Sequence, residues 1–491
     1  MSSGIFNRGR GALCASAVLI ALFAASALAG DTIWTRRYDS GLTDWCSEVA
    51  LNSTGNVIIL GEGRTSQESD TVWIKLICYD SAGEELWAVD YDSDAIYDMG
   101  FTIRIGPEDE IVVAGIYSYG PVGGGEVVKF DESGNLLWVR RPQVSGYDYT
   151  YLSGVAIDDS GYVYVSGYCG YSRYPPLPDA LIIKYNPEGE EVWRRVYNLD
   201  GDFMEYPSHL LFDGDGNLIA VGTVGDDWET LDYLIMKFTP DGDTVWTRRV
   251  DVQPDDEPAG AVITGSSLFF GGWDWIDDRA RPALANFNLE TLRPVWTAIY
   301  YLTDDAFFYD VEADSAGNVI GIGHFDRGVE PTPALVMNCS AASGALRWTE
   351  SYEFFNEFHT IAMAGVFPEA EVLYLTGVVL DTIGDNPDIF LAKLRYSAGI
   401  GISERMSRHR ISLLVSPSLG GSVRVRLSVP ASGSYDISVL GADGRSFVQQ
   451  SRVWFDSGNQ NFTLPSLPAG VYFLDLAGAG VQRRHRLVVV K

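Results

Sequence analysis

The chain has 491 residues and carries 66 acidic against 35 basic side chains, a net charge of −31. That excess of carboxylates repels phosphate backbones and excludes nucleic acid as a partner. Its 13 Trp, 26 Tyr and 22 Phe suit strands better than helices.

The N-terminus reads as a secretory signal over residues 1–29. Arg8 and Arg10 form the basic region, the run from Ala12 to Ala25 is apolar but short for a membrane span, and Ala27-Leu28-Ala29 is a small-residue cleavage site. No later stretch is long and apolar enough to form a transmembrane segment. Four cysteines follow, Cys46, Cys78, Cys169 and Cys339. The repeat register scatters them over different units, so free thiols are expected even though an even count in a secreted chain invites disulfides.

A phrase then recurs, clearest as Ala180-Leu-Ile-Ile-Lys-Tyr-Asn-Pro-Glu-Gly-Glu-Glu-Val-Trp193, with its Trp at positions 34, 87, 138, 193, 246, 296 and 348. Spacings of 50 to 55 residues between strand-rich runs point to propeller blades. Each period divides into four runs. The first includes Ser47-Glu-Val-Ala-Leu51, His209-Leu-Leu-Phe212 and Asp310-Val-Glu-Ala313. An Asx/Gly turn such as Asp158-Asp-Ser-Gly-Tyr162 follows. The second run ends at Gly, as in Val163-Tyr-Val-Ser-Gly167. The third carries a Lys, read at Lys75, Lys129, Lys184, Lys237 and Lys393, and is missing around Ala285-Asn-Phe-Asn288 and Val336-Met-Asn-Cys339. The fourth holds the Trp. The first Trp strand, around Trp34, has no unit before it, and the last third run, Ile389 to Tyr396, has no Trp strand after it. Closing one with the other gives a ring of seven blades without free edges. The fold class is therefore all-β: a seven-bladed β-propeller over residues 30–397, a linker at 398–406 and a small C-terminal β-sandwich at 407–491. From Ile402 onward eleven Lys/Arg face five Asp/Glu, a net of +6, so the acidity belongs to the ring.

Most loops entering a first strand pair an acid with an aromatic: Asp44-Trp45, Asp148-Tyr149, Asp202-Phe203, Asp305-Ala-Phe307 and Glu357-Phe358, with Tyr97-Asp98 in reversed order and Asp255 and Asp256 lacking the aromatic. Gathered at one mouth, they would favour a cation or a basic ligand. The alternative is that each acid caps its own loop and each aromatic packs between blades. Loops between second and third strands share that face and vary, bringing Trp273 and Trp275. Asp213-Gly-Asp-Gly-Asn217 resembles a cation loop but lacks the further oxygen ligands and the distant Glu, and reads as a tight turn. The five His show no metal-ligand spacing, and no nucleophile elbow, phosphate loop or HExxH occurs. No cofactor, metal or catalytic residue is assigned.

The blade phrase, with Asp131-Glu-Ser-Gly-Asn-Leu-Leu-Trp138, resembles the bacterial secreted β-propeller repeat, which implies a scaffold. The C-terminal segment resembles a type IX secretion sorting domain through Tyr435-Asp-Ile-Ser-Val-Leu-Gly-Ala-Asp-Gly-Arg445 and Leu467-Pro-Ala-Gly-Val-Tyr-Phe-Leu474. Ser416-Pro417-Ser418 stands where such domains usually have Pro-Asn-Pro. The resemblance implies the type IX secretion machinery as a partner and a secreted or outer-surface location. The expected role is a non-enzymatic binding scaffold for a glycan or protein ligand. The alternatives are a glycan hydrolase or lyase using acids at the channel mouth, or a purely structural envelope component.

Overall fold

Runs of β-branched and aromatic residues between Asx/Gly turns fold here as antiparallel four-stranded sheets. The computed structural model describes residues 31–64, 71–120, 122–171, 178–199, 204–225, 231–251, 258–276, 279–302, 304–326, 332–355, 358–381 and 387–395, and tail residues 412–417, 423–429, 433–441, 446–455, 458–464, 470–478 and 481–489. The expected signal and linker, together with Asp202, Phe203 and Glu357, lie outside the described residues. Every regular element described is a strand.

Two compact units divide between Ala398 and Gly399. In the first, the described strands make seven four-stranded units, two of them joined by a single parallel pairing of Val72 with Tyr97. The innermost strands are Thr43–Leu51, Tyr97–Ile105, Tyr149–Ile157, Met204–Phe212, Gly260–Thr264, Asp305–Ala313 and Phe358–Glu369, defining blades 1 to 7. Each contacts the next, and the last contacts the first, so the ring is closed. Closure is covalently split: the outer strand of blade 7 is the N-terminal Asp31–Tyr38, antiparallel to Asp388–Arg395. The second unit contains a three-stranded and a four-stranded antiparallel sheet, the strand content expected of a small β-sandwich.

Burial follows position in the blade. Second and third strands, such as Val57–Arg64 and Val72–Tyr79, are buried on both faces because neighbouring blades cover both. Outer strands alternate, as in Glu85–Tyr91. The Asx turns cap themselves: Asp158 Oδ1 accepts the N–H groups of Ser160 and Tyr162, both at 3.0 Å, while Gly161 takes φ +79°. Asp213 does the same for Asp215 and Asn217 at 2.9 Å, and its other oxygen pairs with Lys237 Nζ at 2.5 Å. This loop is a tight turn, as its sequence suggested. The four cysteines are buried and free.

The recurring Trp and Lys reach out of their own blade. Trp138 Nε1 donates to Pro187 O at 3.0 Å, Lys129 Nζ to the same oxygen at 3.3 Å, and Arg140 Nε to Gly189 O at 2.5 Å. They thus grip the Gly turn between the third and outer strands of the next blade. Trp193 and Lys184 grip Pro240 O in the same way, at 3.2 and 3.4 Å. Trp296 grips Ala341 O at 2.7 Å, and Asn286 replaces the Lys, donating to that oxygen at 3.2 Å. The turn glycines need positive φ and leave no room for a side chain: a Cβ on Gly189 would lie 2.8 Å from the Trp138 ring. Blade 7 has no such turn, since its third and outer strands are not consecutive in the chain. Asn338, in the Lys position of blade 6, accordingly turns back to its own Asp314 at 3.1 Å.

The register corrects one assignment. Lys129, Lys184, Lys237 and Lys393 face Trp138, Trp193, Trp246 and Trp34, whereas Trp87 faces Cys78. Lys75 is three residues earlier, on the opposite sheet face. It is buried and bonded to Asp90 at 2.6 Å.

Trp34 carries the clasp across the split blade. Its ring lies over Gly83 of blade 1, and the nearby Arg36 Nε donates to Gly83 O at 2.6 Å. Trp34→Ala is expected to cost roughly 2–4 kcal/mol of unfolding free energy in urea titrations. Val192→Ala, at a 51% exposed outer-strand position, is expected to change it by less than about 0.5 kcal/mol. Equal losses would refute the clasp.

Candidate functional site

Antiparallel pairing puts the loop entering each inner strand beside the loop leaving each second strand: Thr43 pairs with Arg64, Tyr97 with Ser118 and Tyr149 with Gly170. The variable loops therefore share one face, and the capped Asx and Gly turns share the other.

On the loop face the acids do not form one repeated ring. In each blade except blade 5, a second-strand glycine marks the register: Gly61, Gly115, Gly167, Gly222, Gly323 and Gly377 face Cys46, Gly100, Leu152, Pro207, Phe308 and Ala362. Two residues earlier stand Asp44, Asp98, Thr150, Glu205, Ala306 and Thr360. Asp148 and Asp305 occupy other levels. Asp44 is fully buried and accepts the Ser40 N–H at 2.9 Å and its hydroxyl at 3.0 Å, with Lys75 Nζ at 3.9 Å. Burial raises its pKa against those bonds. Asp98 repeats the arrangement with Ser93 at 2.8 and 2.7 Å. These two acids are satisfied by their own loops.

Blades 1 and 2 lock these acids with charges of opposite arrangement. Lys75 with Asp90 in blade 1 occupies the positions that Glu126 with Arg141 occupies in blade 2. Arg141 Nε bonds Glu126 at 2.7 Å, and its guanidinium also lies over the Tyr117 ring at 4.1 Å. Burial pushes Glu126 up to about 7, with Arg141 opposing.

Of the other predicted residues, Asp148 is exposed, and its backbone N–H donates to Gly170 O. Trp45 is half-buried against the core shared by blades 7 and 1. Tyr149 meets Tyr168 edge-on at 6.2 Å, within a tyrosine group that continues through Tyr151 and Tyr206. The structure brings Trp273, Trp275 and Asp305 together. Pairing of the second and third strands ends one to three residues beyond the landmark glycine in six blades. In blade 5 it runs four beyond Gly272, which holds that register opposite Ala283, to Ile276 paired with Arg279. The paired part is thus about 3 Å longer than in blades 1 and 2 at some 3.3 Å per residue. It leans on blade 6: Trp273 meets Phe307 at 4.8 Å, Trp275 meets Phe307 at 6.5 Å, and Arg279 Nε bonds Asp305 Oδ1 at 2.5 Å. Trp275 remains 55% exposed.

A second group lies deeper, along the inner strands. A bulge after the landmark pairing in six blades brings Glu48, His209 and Asp310 to one level, with Arg104 and Glu312 two residues further. Glu48 accepts the Ile103 N–H at 2.7 Å and Arg104 at 2.6 Å; Asp310 accepts the Gly365 N–H at 3.0 Å; His209 bonds the Ala259 backbone. Each thus staples its blade to the next. Arg104 interacts electrostatically with Glu48, Glu312 and Asp310, so blades 1, 2 and 6 meet here. Burial first, then neighbouring carboxylates, raise Asp310 and Glu312. Burial lowers His209 to about 4. Among the described residues no group of three or more His, Cys, Asp or Glu is arranged to hold a metal ion.

Sequence reading passed over this group although it quoted three of its strands. The signal was present as charges inside inner strands, but the bulges that set which way they face leave no mark in sequence. Arg279 carried no repeat signal at all.

The raised carboxyls and the lowered His have opposite pH consequences. Stabilisation linked to Asp310 and Glu312 is complete below the ordinary carboxyl range near 4 and is lost as pH rises through their raised values. That of neutral His209 is complete above about 6.5 and lost as pH falls toward 4. Asp310→Asn keeps an acceptor for Gly365 and is expected to flatten the alkaline fall of Tm while leaving mildly acidic Tm nearly unchanged. A uniform drop at every pH, measured by differential scanning fluorimetry, would count against the linkage.

No protein-family model and no curated protein matches the sequence. Solved structures do resemble the fold. BamB from Moraxella catarrhalis is similar at a TM-score of 0.38 and 13% identity, over 75% of this chain and 100% of its own. A protein of unknown function from Dyadobacter fermentans gives 0.47 at 8% identity, over 74% and 99%. Sqt1 from Chaetomium thermophilum gives 0.44 at 11% identity, over 75% and 99%. Four-stranded blades, inner strands in sequential contact and a split closing blade together make this chain a β-propeller repeat protein.

Proposed function

We propose that the protein is a non-enzymatic binding scaffold that presents its ligand on the loop face. The blade-5 hairpin carries this reading. Among the described residues the second and third strands pair furthest in blade 5, and Trp275 near the end of that pairing stays in solvent. Burying an aromatic ring is strongly favourable, so a Trp more than half exposed on a rigid hairpin is suited to contact with another molecule. The secretory signal and the sorting-domain resemblance support export, with release or attachment at the outer surface.

A second reading, an extracellular glycan hydrolase or lyase, is favoured by the channel group, because Glu48, Arg104, His209, Asp310 and Glu312 break the repeat symmetry. The scaffold reading is preferred because Glu48, Asp310 and His209 are each engaged with the backbone of a neighbouring blade. Incubating the purified chain with soluble polysaccharides and assaying new reducing ends and unsaturated products separates the two. No product is expected. Cleavage that disappears in Asp310→Asn would establish the enzyme instead.

A further inference from the structure

We propose that the ring array shared by blades 2, 3 and 4 is a docking site for an extended, basic, proline-containing peptide segment of a protein partner, gripped by the hydroxyls of Tyr149, Tyr151 and Tyr168. This rests on the loop-face binding reading and specifies its partner.

Strand register builds the array. Tyr151 pairs with Tyr168 and Tyr149 with Gly170, so the three tyrosines share one face of blade 3. Gly170 makes room for the Tyr149 ring: a Cβ there would lie 2.6 Å from the phenol oxygen. Phe101, the residue left unpaired by the blade-2 bulge, stacks on Tyr151 at 5.1 Å and 15°. Tyr168 stacks on Tyr151 at 4.9 Å and 9°, and Tyr206 of blade 4 meets Tyr168 at 4.4 Å and 71°. All five residues lie in described strands and are half-buried.

The hydroxyls are what the fold leaves unused. Tyr197 and Tyr300 donate to Gly242 O and Gly344 O, both at 2.8 Å. The hydroxyls of Tyr149, Tyr151 and Tyr168 have no such partner among the described residues, and none of the three oxygens is enclosed. Burial raises all three phenols, Tyr151 to about 12 with Glu62 adding to it, so each keeps its proton to donate at neutral pH.

The array favours one class of ligand. Parallel neighbours flank the Tyr151 ring, so a pyranose finds no open face there to stack on. Hydroxyl donors and ring edges remain, and the edge of an aromatic ring is its positive rim. Both favour carbonyl oxygens. Helices and sheets have already paired theirs. A polyproline II segment keeps its carbonyls free and is extended before it binds, and grooves lined by aromatic rings suit it. Charge makes the remaining choice. Asp148 is exposed beside Tyr149 and acts on that phenol. The chain carries −31 overall, so Lys or Arg in the segment is attracted and acidic residues are repelled.

The test uses the full chain and fluorescence anisotropy of three labelled peptides: a proline–arginine repeat, a proline–glutamate repeat, and a helical alanine–arginine peptide with the charge of the first. Xylan and laminarin are run beside them by affinity gel electrophoresis. The proline–arginine peptide is expected to bind saturably, about tenfold or more tighter than the other two. Tyr151→Phe and Tyr168→Phe keep the ring and remove the hydroxyl. Each should weaken binding about threefold and the double variant about tenfold, with melting temperatures showing that the fold is retained. Leu137→Ala, at an exposed outer-strand position, should leave binding unchanged. Equal binding of all three peptides, or undiminished binding by the double variant, overturns the site. If only the helical peptide or a polysaccharide binds, and Tyr168→Phe weakens it, the extended-peptide assignment falls and loop-face binding stands. If no probe binds, both fall.

Discussion

The ring depends on the contact between an outer-strand Trp and the Gly turn of the following blade. The indole lies on a backbone that has no side chain to push it away, and its N–H, helped by a Lys or Asn and in places an Arg, takes up turn carbonyls that the turn itself leaves free. This couples three needs in one place: burial of a large ring, satisfaction of exposed backbone acceptors, and a left-handed turn that only glycine adopts cheaply. Five of the seven blades grip the next in this way; the blade-5 turn has Leu292 in place of the glycine, and blade 7 has no such turn. The N-terminal strand extends the same contact across the chain's split, where Trp34 lies over Gly83.

Departures from the repeat become intelligible against that contact. Asn286 replaces the Lys yet reaches the same carbonyl, so the interaction survives the substitution. Asn338 has no turn to reach in blade 7 and bonds Asp314 within its own blade. Blades 1 and 2 add half-buried ion pairs, Lys75–Asp90 and Arg141–Glu126, whose cations reach the loop acids Asp44 and Asp98, with the arrangement of the signs reversed between them.

The channel and the loop face divide the acidic character of the ring differently. In the channel, carboxylates from blades 1 and 6 share one guanidinium, and burial favours the protonated forms of Asp310 and Glu312. Each of Glu48, Asp310 and His209 is committed to a neighbouring backbone group, which makes the lumen part of the joint between blades. On the loop face, Asp305 is instead partly exposed and paired with Arg279, beside rings whose surfaces are open.

The sequence alone determined the repeat, the strand content, the split closure and the identity of the self-capping turns, because each is set by residues close in the chain: alternation, Asx bonding and glycine's access to positive φ. It also named Trp273, Trp275 and Asp305. What it placed in one ring, the acids at 44, 148 and 305, the structure separates into different levels, and Lys75 leaves the repeat for a buried pair. Only the tertiary structure decided these points. A one-residue bulge or offset reverses the facing of every later side chain in a strand, and it leaves no trace in composition or spacing. The pairing of Arg279 with Asp305, and the meeting of Glu48, Arg104 and Glu312, likewise join residues from different blades, whose distance is set by ring closure rather than by position along the chain.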